Sequence, residues 1–225
     1  MTEAGRRRRL VARAAIALLA LAAATGARAG CSSVAGNHVF ALGSPCTASG
    51  TYTPTVAIPG TPPQPIVGLF ANGGGSIGAD SNATLIKVDA KAAGKSYAVW
   101  SEGAGSAINF FTPSDVAVPV TISTSNGGTY AFYASGGGTI GSSTMTPEVA
   151  SVTTTASGAQ AVYAFGAGST ITLSLLPPTS PALATIVTTG LDSPGALSLI
   201  GGSISLTSVS SLTHKGRLPW ACRLH

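Results

Sequence analysis

Phe132-Tyr133-Ala134-Ser135-Gly136-Gly137-Gly138-Thr139-Ile140 decides the reading of this chain, because variants of it recur on both sides. Upstream stand Leu69-Phe70-Ala71-Asn72-Gly73-Gly74-Gly75-Ser76-Ile77 and Val99-Trp100-Ser101-Glu102-Gly103-Ala104-Gly105-Ser106-Ala107-Ile108. Downstream stand Val162-Tyr163-Ala164-Phe165-Gly166-Ala167-Gly168-Ser169-Thr170-Ile171 and the more degraded Ala196-Leu197-Ser198-Leu199-Ile200-Gly201-Gly202-Ser203-Ile204. The closing isoleucines, Ile77, Ile108, Ile140, Ile171 and Ile204, are 31, 32, 31 and 33 residues apart. A large side chain precedes each by seven or eight positions: Phe70, Trp100, Tyr133, Tyr163 and Leu197. A near-constant period over about five copies is the mark of a stacked repeat architecture.

Between these segments lies a second kind of strand: Leu85-Ile86-Lys87-Val88, Val118-Pro119-Val120-Thr121-Ile122, Ala150-Ser151-Val152-Thr153-Thr154 and Thr185-Ile186-Val187-Thr188. Ile86/Val88 and Val118/Val120/Ile122 alternate with other residues, the period of a half-buried strand. Each unit of about 32 residues therefore reads as strand, Gly turn, strand, loop, strand. No unit buries its apolar face alone, whereas stacked units share a core of Ile, Val and aromatics. A parallel β-helix satisfies this most simply, since every interior strand edge is paired by the next coil. An antiparallel sandwich is the alternative that short alternating strands also permit.

Composition agrees with an all-β protein. Only 8% of residues are charged, Gly numbers 29, and Thr and Val are abundant while good helix formers are scarce. The formal charge of +5 is misleading as a guide to partners. Six of the 12 basic residues lie in the first 29 positions, and Lys215, Arg217 and Arg223 lie at the other end. From Gly30 to His214, Lys87, Lys91 and Lys95 face Asp80, Asp89, Glu102, Asp115, Glu148 and Asp192, a net of −3. No nucleic-acid partner is expected.

The N-terminus has the layout of a helical, cleavable export signal over residues 1–29. Arg6 to Arg9 and Arg13 precede an apolar run of 11 residues (14–24), and Ala27 and Ala29 occupy the small-residue positions of an A-x-A cleavage site. The run is well short of the about 20 residues that span a bilayer, so no integral anchor is expected in the mature chain. Cys31, two residues past the cut, raises lipidation; Arg28 stands where that signal wants Leu, and cleavage after Ala29 is preferred. In an oxidising compartment Cys31 and Cys46 form a possible disulfide contributing about 3 kcal/mol through the unfolded state. Cys222 is left over. Residues 30–66 read as a cysteine loop with a Pro-rich cap or linker, 67–212 as the repeats, and 213–225 as a basic tail outside the repeat pattern.

Several apparent motifs lack their context. Gly73 to Gly78 and Gly136 to Gly141 fit a dinucleotide pattern, and Gly74 opens a G-x-S-x-G match, but no helix pattern follows. Gly94-Lys95-Ser96 lacks the first glycine of a P-loop. Asn82-Ala83-Thr84 fits a glycosylation sequon of low specificity. His38 reads as a surface or edge histidine. Asp80 with Asp89, or Asp115 with Glu148, can face each other across coils as a glycosidase pair requires. Trp100, Tyr130 and Tyr133 can form a sugar-stacking face, although their register with the isoleucines reads first as core. No cofactor, metal or catalytic residue is expected; a polysaccharide-degrading or modifying β-helix enzyme is the runner-up.

Cys46-Thr47-Ala48-Ser49-Gly50-Thr51-Tyr52-Thr53-Pro54, after Cys31, resembles the start of mature autotransporter passenger domains of Gram-negative bacteria. The repeat around Tyr133 to Ile140 resembles their pertactin-like β-helix repeats. The similarity spans residues 30–212 and implies a right-handed parallel β-helix at the cell surface or outside the cell, engaged in adhesion, aggregation or contact with a host surface, a glycan or other envelope components. Such proteins end in a membrane β-barrel, and nothing after Gly202 reads as one. The expectation is a truncated or frame-shifted passenger that without a barrel stays periplasmic.

Overall fold

The computed structural model describes residues 30–58, 65–92, 95–142, 144, 146, 148–174, 185–207 and 211–214. The expected export signal, with Ala27 and Ala29, and Cys222 lie outside them. Nineteen strands and no helix occur among the described residues. After an antiparallel entry strand, β1 (Gly30–Val34), the chain passes repeatedly through three sheets in the same order. The first coil is β2 (His38–Leu42), β3 (Pro45–Ala48) and β4 (Gly50–Tyr52). The second is β5 (Ile66–Asn72), β6 (Ser76–Ala79) and β7 (Ile86–Ala90), and the third is β8 (Ser96–Glu102), β9 (Ala107–Ile108) and β10 (Val120–Thr124). Then follow β11 (Tyr130–Ser135), β12 (Thr139–Ile140) and β13 (Val149–Thr154), and next β14 (Gln160–Phe165), β15 (Thr170–Ser174) and β16 (Thr185–Thr188). The last set is β17 (Ala196–Leu199), β18 (Ser203–Thr207) and β19 (Ser211–His214).

After β1, every strand pairs in parallel with its counterpart one coil away, giving a parallel β-solenoid of about five turns. Sheet A holds β1-β2-β5-β8-β11-β14-β17, sheet B holds the strands after the Gly turn, and sheet C holds the third strand of each coil. The isoleucine period is the register of sheet B: Ile77 pairs with Ile108, Ile108 with Ile140, Ile140 with Ile171, and Ile171 with Ile204. Sheet C supplies Val88, Ile122, Val152 and Ile186 to the same lumen, and sheet A supplies Leu69, Val99, Phe132 and Val162. All of these side chains but the partly buried Ile204 are fully buried, and together the thirteen form one continuous core.

Two expectations are corrected. Residues 38–52, taken with the cysteine loop, build a complete first coil in register with the second. The repeat is disguised there because Cys46 holds the isoleucine rung, pairing with Ile77. Cys46 and Cys31 sit at disulfide distance, Cα to Cα 5.5 Å, tying the exposed β1 to sheet B. The aromatic positions also leave the shared core: Phe70, Trp100, Tyr133 and Tyr163 alternate with the lumen residues and project from the outer face of sheet A.

The Gly turns are set by how closely coils approach. A Cβ on Gly138 would stand 2.3 Å from the Ser101 carbonyl oxygen of the preceding coil, and one on Gly75 would stand 2.1 Å from that of Ala41. In the longer turns a serine takes the corresponding corner. The buried hydroxyls of Ser106 and Ser169 accept hydrogen bonds from the amides of Gly74 (3.1 Å) and Gly137 (3.0 Å) one coil back. Short and long turns thereby nest, which explains why the aromatic-to-isoleucine spacing alternates between seven and eight. Gly138→Ala is expected to cost at least about 2 kcal/mol in denaturant unfolding, because backbone must move. Gly36→Ala, with a positive φ of 73° and open space around it, is expected to cost about 1 kcal/mol.

Candidate functional site

The outer face of sheet A is the most distinctive surface of the molecule. Parallel register places Phe40, Phe70, Trp100, Tyr133, Tyr163 and Leu197 in one column along the solenoid axis. A second column runs through Val67, Tyr97, Tyr130 and Gln160. Strands in a sheet lie about 4.8 Å apart, so flat rings on successive strands have to overlap. Tyr97 and Tyr130 are 4.9 Å apart between centroids and only 9° from parallel; Tyr133 and Tyr163 are 5.4 Å apart at 16°. Parallel rings this close cannot lie side by side, so they overlap like shingles. The stack continues through Tyr130–Tyr163 at 5.5 Å, while Tyr97–Trp100 at 4.7 Å joins the columns. Each well-placed aromatic pair contributes about 0.5–1.5 kcal/mol beyond simple burial.

Trp100, Tyr130 and Tyr133, the residues considered for sugar stacking, are brought together here: Trp100–Tyr133 is 5.6 Å and Tyr130–Tyr133 is 5.2 Å. Reading them first as lumen core failed for a definite reason. The sheet A strands are apolar on both faces, so their alternation does not reveal which face points inward. The legible clue was the small residues two positions after each lumen residue, Ala71, Ser101, Ala134 and Ala164, all fully buried.

Beside the rings runs a polar column. The Trp100 Nε1–H donates to Ser135 Oγ (3.0 Å), and the Asn72 amide donates to Glu102 Oε2 (3.2 Å). Burial pushes the Glu102 carboxyl above the ordinary carboxylate range and raises the phenols of Tyr97, Tyr130, Tyr133 and Tyr163. Sequence reasoning did not single out Glu102. Its place beside the Gly turn, one position beyond the buried Ser101, was the available signal.

The acid pairs fare differently. Asp89 ion-pairs with Lys87 (3.3 Å) and accepts from the Ser123 hydroxyl. Burial raises its carboxyl, but these partners outweigh that and leave it below the ordinary value. Asp80 accepts from the Asn82 amide (3.0 Å), and Asp115 sits at a positive φ of 59° in the loop before sheet C. Neither pair shares a hydrogen bond among the described residues. His38 is buried rather than on the surface, stacked on Phe40 with ring centroids 4.1 Å apart, at the edge coil. The glycines at 73–75 and 136–138 turn the chain from sheet A into sheet B strands, with no helix for a dinucleotide to meet. No cluster of three or more metal-ligating side chains occurs among the described residues, and no described helix is long and apolar enough to cross a membrane. No protein-family profile, no curated protein and no solved structure matches this chain.

Two titrations follow with opposite sign. Burial depresses the His38 imidazole below its ordinary 6.5. The stability tied to its neutral form is therefore complete above about pH 6.5 and lost as pH falls through the folded value. Thermal melts between pH 7 and 5 are expected to show a drop that His38→Phe reduces. Glu102 has a raised folded value, so its contribution is complete below about pH 4.3 and lost as pH rises through that folded value. Glu102→Gln is expected to raise the melting temperature at pH 7, and the gain is expected to vanish at pH 4.

Proposed function

We propose that this chain is a non-catalytic, exported adhesion module, a passenger-like β-solenoid that meets a host surface, a glycan or another envelope component through the outer face of sheet A. The observation that carries the reading is the row of half-buried tyrosines passing into exposed Phe165 and Leu199, an apolar surface not folded into the lumen core. Contiguous apolar surface of this kind marks interaction sites, and Tyr and Trp dominate binding energy at interfaces. The autotransporter reading draws support from the solenoid and its Gly-turn repeats. On this reading the mature protein is at the cell surface when joined to a barrel and periplasmic otherwise.

Adhesion of the purified mature chain to host cells and to immobilised glycans tests the reading. Saturable adhesion is expected, reduced about tenfold or more by combined Tyr130→Ser, Tyr133→Ser and Tyr163→Ser with the circular dichroism spectrum unchanged. Adhesion indifferent to that variant, or release of reducing ends from polysaccharide, overturns it. Sequencing the exported protein is expected to begin at Gly30.

A further inference from the structure

The aromatic face is not uniform along its length, and the chain itself shows what fits it. Phe40, Val67, Phe70 and Tyr97 at the N-terminal half are buried, although they lie outside the lumen. Ile58 covers them, 8% exposed and packed in the same cluster. It belongs to the connection from sheet C to sheet A in the first coil, residues 53–65, which is thirteen residues long. Ile58 N–H donates to the Pro65 carbonyl (3.1 Å) and Ala57 bridges Ile66, so the connection returns onto the start of β5. The corresponding connections later in the chain are five residues (91–95, 125–129, 155–159) and seven (189–195). There, without an equivalent long connection, the aromatic columns pass into half-buried Tyr130, Tyr133, Tyr163 and Leu197, and the neighbouring column of Asn72, Glu102 and Ser135 turns apolar at Phe165 (36% exposed) and Leu199 (42%), with Ile200 in the next turn at 70%.

Ile200 sharpens the contrast. It stands where earlier coils have Gly73, Gly136 and Gly166, and it holds their left-handed backbone with φ of 54°. A β-branched residue is disfavoured there, yet this one directs an aliphatic side chain into solvent beside Leu199.

The ring geometry separates two ligand chemistries. A pyranose stacks on an open ring face, and the shingled Tyr97–Tyr130–Tyr163 and Tyr133–Tyr163 rings cover much of each other's faces. An aliphatic side chain needs no open ring face, and Ile58 packs in one cluster with Phe40, Phe70 and Tyr97. We propose that the C-terminal half of this face, Tyr133, Tyr163, Phe165, Leu197, Leu199 and Ile200, binds a proline-flanked aliphatic segment of a partner protein, whose aliphatic side chain takes on this half the place that Ile58 takes on the other. This rests on the outer face of sheet A being the recognition surface. The partner supplies the cover that the short later connections do not.

The probe is a synthetic peptide copying residues 53–66, titrated calorimetrically into the full chain, with cellohexaose and chitohexaose titrated in parallel. Saturable peptide binding is expected, weakened at least tenfold by Ile58→Asp in the peptide and by Tyr163→Ala in the protein. Leu199→Asp, at an exposed site that leaves the lumen untouched, is expected to have the same effect and serves if Tyr163→Ala fails to fold. Peptide binding indifferent to Leu199→Asp would mean displacement of the native cover at the other half, and overturns the proposal. So does oligosaccharide binding without peptide binding. Adhesion that depends on the tyrosines while the peptide fails to bind overturns the peptide assignment alone; loss of adhesion dependence removes the recognition surface itself.

Discussion

Parallel pairing of each strand with the same strand one coil later constrains everything else in this molecule. Residue stands on residue at the strand spacing, so whatever occupies a rung has to tolerate its own kind above and below. Isoleucine does so in sheet B, where branched side chains pack without polar atoms to satisfy. Threonine does so less completely: the buried hydroxyls of Thr124 and Thr154, adjacent rungs in sheet C, have no hydrogen-bond partner among the described residues. Such orphaned hydroxyls are unfavourable, and the rung is held by the backbone ladder and the methyl groups. The same approach of coils excludes any side chain at Gly75 and Gly138.

Stacking also explains why the outer face of sheet A is aromatic without being core. Rings in register on neighbouring strands shield one another from water even on an external surface. A face built this way is stable before it binds anything. It is also asymmetric, because the chain supplies one long connection near the N-terminal end and short ones afterwards. The aromatic columns run through both halves, but the neighbouring column is polar at Asn72, Glu102 and Ser135 and apolar at Phe165 and Leu199.

The N-terminal edge of sheet A receives its own treatment. β1 runs antiparallel to β2, occupying the edge that another chain would otherwise pair with. Its described side chains are exposed, so it is held by backbone hydrogen bonds and by Cys31 at disulfide distance from Cys46. A bond between them persists in an oxidising compartment.

Much of the fold was legible because a solenoid converts three-dimensional stacking into one-dimensional period. The isoleucine spacing, the Gly turns and the alternating strands from Ile86 to Thr188 each reappear as register in a sheet. The first coil escaped notice because Cys46 replaces isoleucine and Pro45 opens β3, which hides the period without altering the backbone path. The candidate site was only half legible: Trp100, Tyr130 and Tyr133 were visible as neighbours, Glu102 was not. What the sequence by itself determined is the repeat, its length and the residue types on each rung, since local periodicity sets those. Only the tertiary structure decided which face of sheet A turns inward. Both faces of those strands carry large apolar residues, so alternation alone does not choose between them, and inside is defined by where the other two sheets lie.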